Sequence, residues 1–335
     1  MSYKSIQYNN AVKYKESLND IEENEYIVTV NGKPFNHFFK KTQLNLWETI
    51  RQEALDYFSN KDITWHSNEM ENNPETIPEG NMFSSQISCV NHLFLLRKIK
   101  NQDYATAVLK NIDNRIVSAE IVCDSYGNDG YVEFESWGTK ENHNPLNEKE
   151  KGRVFGKGTE WIRQRGSYST SVDAVMVGKK PDGKKILFFI EWKYTESYNF
   201  GKKIITSNSN EYNKFLNNKE SPINLMENLD DLYYDPIYQL MRQTLWAWQI
   251  TKEFGCDEYL HLHIIPKDNL KIQEITSPNL KLKGSSMSDV WKKLLKEPCR
   301  YKTLSQEELL NPLKDIKELK LFFDYLKARY LENYS

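Results

Sequence analysis

Residues 165–196, RGSYSTSVDAVMVGKKPDGKKILFFIEWKYTE, decide how the rest of the chain is read. Two apolar runs, 171–177 and 185–190, flank the loop GKKPDGKK, which carries Pro181-Asp182-Gly183. Branched and aromatic residues favour strands, proline fixes one turn dihedral and Gly183 can take a positive φ, so the stretch predicts a β-hairpin. Successive strand side chains alternate between faces, which puts Glu191 and Lys193 on one face and Trp192 on the other. Asp173, near the start of the first strand, sits across the hairpin from that pair. Two carboxylates and an ammonium are therefore expected to converge.

The surrounding chain is long enough, at 335 residues, to bury a substantial core, and 13% aromatic residues argue against disorder despite heavy Lys, Asn and Glu usage. No window approaches eighteen consecutive apolar residues, and the opening MSYKSIQYNN lacks the apolar core of a signal peptide. Neither export nor membrane insertion is expected, and the reading places the chain in the cytoplasm. Cys89, Cys123, Cys256 and Cys299 stand far apart without a CxxC pair, which fits reduced thiols better than a zinc knuckle or a disulfide framework. His261 and His263 lie in YLHLHIIP, a predicted strand on which both rings share a face. A metal pair is one use of that spacing; a structural or solvent-facing role is the commoner one.

The net charge of −2 hides an asymmetry. Residues 151–203 hold twelve Lys and Arg against five acids, so this segment is +7 and the remainder −9. A basic zone around a carboxylate pair suits a polyanionic substrate approaching a bound cation; a solvated Lys-rich loop accounts for part of it.

Outward from the hairpin, periodicity predicts a short strand at 26–30 before Asn31-Gly32 and a helix over 36–58, with Leu44, Trp47, Ile50, Ala54, Leu55 and Phe58 on one face. Residues 66–80, with two prolines, read as a loop. Ser84 or Ser85 caps a largely apolar helix reaching Lys98, on which Gln86 and Asn91 are the notable polar residues. Strands are predicted at 115–123 and 131–137, and 138–157 reads as a loop. Beyond the hairpin, 207–220 is polar and Asn-rich. Asp235-Pro236 then signals a capped helix over 236–254 that ends at Gly255 and carries Gln239, Arg242, Gln243, Trp246 and Gln249. A strand at 258–265 follows, and 289–335 is helical in pattern. The result is a mixed α/β architecture with the hairpin central.

Hydrolysing a phosphodiester requires a nucleophilic water, neutralisation of phosphate charge and help for the leaving alkoxide. A Mg²⁺ or Mn²⁺ ion held by oxygen ligands can supply all three. Asp173 and Glu191 are the natural ligands, because facing carboxylates repel and a divalent cation relieves that. The carbonyl of Trp192 is a further candidate ligand. Lys193 would orient or activate the attacking water and counter developing negative charge. Glu-x-Lys alone says little, since Glu318-Leu319-Lys320 repeats it in an amphipathic helix. What distinguishes Glu191-Trp192-Lys193 is its place at the end of an apolar strand, with an acid on the partner strand. A surface ion pair beside Asp173 is the bland alternative.

Asp173 followed by Glu191-x-Lys193 resembles the core of the PD-(D/E)xK, or restriction endonuclease-like, nuclease superfamily. SSQISCVN (84–91), RGSYSTSVDAV (165–175) and EWKYTE (191–196) resemble one bacterial group within it. The position before the acid is Val172 rather than proline. The resemblance implies a restriction endonuclease-like core over 80–265 within a single domain 1–335, with mostly helical additions at 1–79 and 266–335. It also implies Mg²⁺-dependent cleavage of DNA, with Asp173 and Glu191 as metal ligands and Lys193 as the catalytic lysine. A further acid often comes from upstream, for which Glu135 is the first candidate and Glu160 the second. The helix after the Glu-x-Lys strand often contributes a glutamine near the scissile phosphate, a role that Gln239 and Gln243 match in kind; a glutamine bridging along its helix is as common. Arg165, Ser169 and Thr170 are candidates for phosphate contacts. The leading expectation is a metal-dependent DNA endonuclease of restriction or anti-phage type, with a homodimer as one way to cut two strands. The alternative is an inactive nucleic-acid-binding or protein-interaction module of the same fold.

Overall fold

The computed structural model describes residues 1–18, 28–30, 33–61, 63–65, 77–124, 127–128, 130–136, 146, 170–198, 209–224 and 228–334. In chain order the first elements are α1 (Tyr3–Glu16), a short ribbon of β1 (Val28–Val30) and β2 (Lys33–Phe35), α2 (Glu48–Asn60), α3 (Ser85–Ile99), α4 (Gln102–Ile112), β3 (Ser118–Glu120), β4 (Cys123–Asp124), β5 (Gly127–Asn128) and β6 (Glu133–Ser136). Two long strands follow, β7 (Val172–Lys179) and β8 (Lys185–Trp192). Then come α5 (Ser209–Leu216), α6 (Ile237–Ile250), β9 (Glu258–Ile264), α7 (Met287–Leu294), β10 (Tyr301–Leu304), α8 (Gln306–Leu310) and α9 (Lys320–Tyr330).

β7 and β8 form the predicted hairpin. Gly183 takes φ +85° and donates to the Lys180 carbonyl at 3.0 Å, while the Lys184 amide donates to Asp182 Oδ1 at 3.1 Å. The Pro-Asp-Gly turn thus uses each residue for its own property. The hairpin lies within a mixed sheet of order β10-β9-β8-β7-β3, with β6 also paired to β7. β7 is antiparallel to β8, β3 and β6, whereas β9 is parallel to β8 and to β10. A parallel neighbour needs a crossover, and the segment carrying α6 supplies it between β8 and β9.

Helices cover both faces of the sheet. Ala174, Met176, Phe188, Ile190 and Trp192 enter the core shared with α2, α3, α4 and α9. Val175, Val177, Leu187 and Phe189 enter the one shared with α6 and α7. A strand buried on both faces has no polar side to alternate with, which is why both runs read as continuously apolar. Phe188 is wholly buried, and Phe188→Ala would cost about 3–5 kcal/mol.

Several sequence expectations are corrected. The helix placed at 36–58 begins only at Glu48, after a 3₁₀ turn at Thr42–Asn45. Leu44 and Trp47 continue the apolar spacing from outside the helix, and the Trp47 amide is taken by Asn91 Oδ1 at 2.9 Å. α1 falls within the mostly helical addition expected at 1–79, although periodicity gave it no signal of its own. It carries no apolar stripe and is held by polar contacts, Gln7 Nε2 to the Tyr330 carbonyl at 3.1 Å and Asn10 Nδ2 to the Arg329 carbonyl at 3.0 Å. α4 was missed although its signal is present, with Asn101 capping the amides of Asp103 and Tyr104 and Ala105, Val108, Leu109 and Ile112 buried. The strand placed at 115–123 is cut to Ser118–Glu120, followed by the small β4–β5 ribbon. α5 lies within the stretch read only as polar. Pro236 occupies the N-cap of α6 rather than its first turn, the Asp235-Pro236 bond is cis, and the helix stops at Ile250, before Gly255 at φ +64°. β10 is a sheet strand inside a segment read as helical throughout.

Candidate active site

The hairpin register brings the site together. Ala174 pairs with Ile190, so one residue further along Asp173 lies opposite Glu191. Phe134 pairs with Ala174 and Ser136 with Val172, so Glu135 on β6 lies opposite Asp173 on the other side. The three carboxylates therefore lie at neighbouring positions on β6, β7 and β8, Glu135 reaching α3 and Glu191 reaching α6. On β9, His263 pairs with Glu191. Asp173, Glu191 and Glu135 are 7%, 5% and 3% exposed, an environment in which carboxylate charge is costly without compensation.

Each is held differently. Asp173 Oδ2 accepts the Trp192 amide at 2.7 Å, stitching the start of β7 to the end of β8. Glu135 Oε1 accepts Gln86 Nε2 at 2.9 Å, and its backbone sits at φ +50°, a conformation rarely adopted by a residue with a Cβ. Gln86 also donates to the Thr64 carbonyl at 3.2 Å, so its amide is oriented from both ends. Cys89, on the same helix, feels all three acids: burial first, then Asp173, Glu135 and Glu191, push its thiol well above the ordinary range.

Glu191 accepts three side-chain hydrogen bonds. Lys193 Nζ and Gln239 Nε2 both donate to Oε1 at 2.7 Å, and Gln243 Nε2 donates to Oε2 at 2.5 Å. Gln239 and Gln243 stand one turn apart on α6 and are both directed at this carboxylate, whereas Arg242 lies over the Tyr238 ring at 5.3 Å. Glu191 and Lys193 share a face, and Trp192 lies opposite, with its indole N–H donating to Ser88 Oγ at 3.0 Å. The Lys193 backbone is fixed on both sides, its amide to the Ile264 carbonyl at 2.8 Å and its carbonyl to Gln306 Nε2 at 2.9 Å. Burial would lower the pKa of the Lys193 ammonium, but Glu191, Tyr198, Glu196 and Asp173 outweigh it and hold the group well above its usual range. Lys193 is therefore a fixed positive charge at neutral pH.

Of the remaining sequence candidates, Thr170 is buried at the entry to β7, and Gln243 Nε2 also reaches the Ser171 carbonyl at 3.5 Å. Arg165, Ser169 and Glu160 lie outside the described residues. His261 and His263 are wholly buried rather than solvent-facing. Their Nδ1 atoms lie 3.2 Å from Thr244 Oγ1 and the Tyr301 hydroxyl. Burial lowers the His261 imidazole to about 4 and holds His263 well below its usual range, with Lys193 adding to the second. Sequence reasoning missed Tyr198, whose hydroxyl donates to Gln239 Oε1 at 2.9 Å. Its only signal was position, seven residues beyond Glu191.

Among the described residues, no group of three His, Cys, Asp or Glu side chains is arranged to hold a metal ion. Mg²⁺ does not need one: it keeps several waters and is held by one or two carboxylates plus substrate phosphate. Asp173 and Glu191, neighbours on paired strands, fit that requirement, and acceptor-only oxygens are the donor type a hard cation selects. No described helix is long and apolar enough to cross a membrane.

The family described as Restriction Endonuclease associating with ARP matches residues 9–331, almost the whole chain. No curated protein and no solved structure matches.

Proposed function

The chain belongs to the restriction endonuclease family described as associating with ARP, and on that premise we propose that it is a Mg²⁺- or Mn²⁺-dependent DNA endonuclease serving in restriction or anti-phage defence. Family membership makes nuclease chemistry and a DNA substrate the starting point. The observation that carries the reading to this site is Glu191. It lies opposite Asp173 in the hairpin register, with one cation and two neutral amides directed at it.

In this reading Asp173 and Glu191 are the metal ligands, joined by the Trp192 carbonyl. A divalent cation bound there supplies charge neutralisation at the phosphate and lowers the pKa of a water. Lys193, held charged by Glu191, offsets negative charge developing on the phosphate and orients the attacking water, rather than acting as a free base. Glu135, anchored by Gln86, is the further acid. Gln239 and Gln243 hold Glu191 and border the scissile phosphate, and Arg165, Ser169 and Thr170 contact the DNA backbone. A single domain working as a cytoplasmic homodimer, so that two sites face two strands, completes the proposal. The family description adds a partner, ARP. The competing reading, a binding module that has lost cleavage, is disfavoured because Asp173, Glu191 and Lys193 are all retained.

The test is incubation of supercoiled plasmid DNA with the protein and with Lys193→Ala, in Mg²⁺ and in Mn²⁺. Nicked or linear product from the wild type alone supports the proposal. Equal inertness of both proteins on DNA and RNA overturns it.

A further inference from the structure

We propose that Tyr198 is a positioning residue that selects which oxygen of Glu191 meets the cation. The inference rests on the reading of Glu191 as a metal ligand and adds a residue and a coordination mode to it.

Hydrogen-bond polarity carries the argument. An ionised carboxylate only accepts, so the Gln239 amide must turn its NH₂ toward Glu191. Its carbonyl then faces the other way, and a carbonyl also only accepts. Tyr198 meets it with a hydroxyl donating at 2.9 Å. Burial first, then Glu191, Glu196 and Asp235, hold the Tyr198 phenol well above its ordinary range against the opposing Lys193, so the hydroxyl keeps its proton. The chain Tyr198 to Gln239 to Glu191 runs in one direction only.

Tyr198 reaches this position because the chain reverses after β8. The Tyr194 amide donates to Glu196 Oε2 at 2.6 Å, and buried Asn269 donates from Nδ2 to the carbonyls of Tyr194 and Glu196 at 2.9 and 3.0 Å. This return loop carries the phenol back over the strand end it has just left.

The consequence lies in the acceptor count. Each carboxylate oxygen offers about two acceptor positions. Both on Glu191 Oε1 are used, by Lys193 and Gln239, while Oε2 has accepted only Gln243 among the described hydrogen bonds. Glu191 therefore presents Oε2 to the cation as a single-oxygen ligand, and Tyr198 keeps Oε1 committed by locking the amide that occupies it. Outer groups that orient a ligand in this way change metal affinity by about 10- to 100-fold when removed.

Mn²⁺ binding to the full chain, read by the electron paramagnetic resonance signal of the free ion, tests this without depending on catalysis. The wild type should bind Mn²⁺ and Asp173→Asn should not. If the wild type binds none, the metal reading itself fails and this inference falls with it. If it binds, Tyr198→Phe, which keeps the ring and its packing, should weaken binding about 10-fold at an unchanged melting midpoint. Gln239→Leu should weaken it similarly, and the double variant should bind no worse than Gln239→Leu alone. Asn269→Ala, which frees the return loop and leaves the phenol intact, should reproduce part of the loss. Wild-type affinity in Tyr198→Phe, or a loss that adds in full to that of Gln239→Leu, overturns the proposal.

Discussion

Two buried glutamates on this sheet are solved in opposite ways. Glu133, on β6, is fully buried and held by the Tyr57 hydroxyl at 2.6 Å, Lys61 Nζ at 3.0 Å and Arg97 at 2.5 Å. Glu191, two strands away, is held by one ammonium and two neutral amides. At Glu133 two cations face one carboxylate, and the charge is cancelled within the protein. At Glu191 one ammonium faces one carboxylate, and the two amides fix its geometry without adding charge. A glutamate of the first kind holds elements together; one of the second kind is, in the proposed function, a ligand for a cation from outside.

The sharpest way to break the comparison is to remove a charge on the Glu191 side. Lys193→Ala and Asp173→Asn should each lower plasmid cleavage by about 10³-fold, the scale of losing a directed transition-state charge. Removing the corresponding charge from the other glutamate should spare chemistry and damage stability. Glu133→Ala strips two buried cations of the carboxylate they share and should cost about 3–5 kcal/mol in urea unfolding. A Glu133→Ala protein as stable as the wild type would show that its ion pairs are not structural.

Next in size is the amide pair. Gln243→Leu removes the N–H on Glu191 Oε2 and leaves an apolar side chain of similar size, so Mn²⁺ binding should weaken by about 10- to 100-fold. Isothermal titration checks it. An undiminished affinity would mean that the amides do not hold the ligand.

How far these features were legible in the sequence follows the same division. Asp173, Glu191 and Lys193 could be read because they belong to one hairpin, where two-residue periodicity and a recognisable turn fix register locally. Gln239 and Gln243 were visible as polar residues in an apolar helix, but their shared target was not. Glu133 gave no signal: its partners Tyr57, Lys61 and Arg97 lie 76, 72 and 36 positions away and meet only in the packed core. The bend at Glu135 was hidden because a positive φ is usually announced by glycine. β10 is four residues at the sheet edge, and its identity comes from pairing with β9 rather than from its own pattern. Local order was readable; the supports of the site, which are long-range, were not.

Acid provides a gentler perturbation, because His261, bonded to Thr244 of α6, is kept neutral by burial. Burial holds His261 at about 4 in the folded chain, with Glu191 opposing, against about 6.5 when unfolded. Between those values the unfolded chain binds a proton that the folded chain refuses, so this contribution to stability is lost as pH falls from 6.5 towards 4. The loss at pH 5 is about 2 kcal/mol from this group, at about 1.4 kcal/mol per pH unit. Urea midpoints at pH 7 and pH 5 should differ less in His261→Gln than in the wild type; equal differences would remove His261 from the account.

The smallest effect sharpens the comparison most directly. An ion that binds only the folded chain stabilises it by RT ln(1 + [L]/Kd), which is about 1.4 kcal/mol at a tenfold excess over Kd. Mg²⁺ at such a concentration should raise the wild-type unfolding free energy by that amount and leave Asp173→Asn unmoved. Glu133→Gln, although less stable from the start, should gain the full increment, because a glutamate already neutralised by Lys61 and Arg97 has no part in holding the ion. If Asp173→Asn gained and Glu133→Gln did not, the roles of the two glutamates would be exchanged, and the cation would have to be sought beside β6 and α2 instead of at the end of the hairpin.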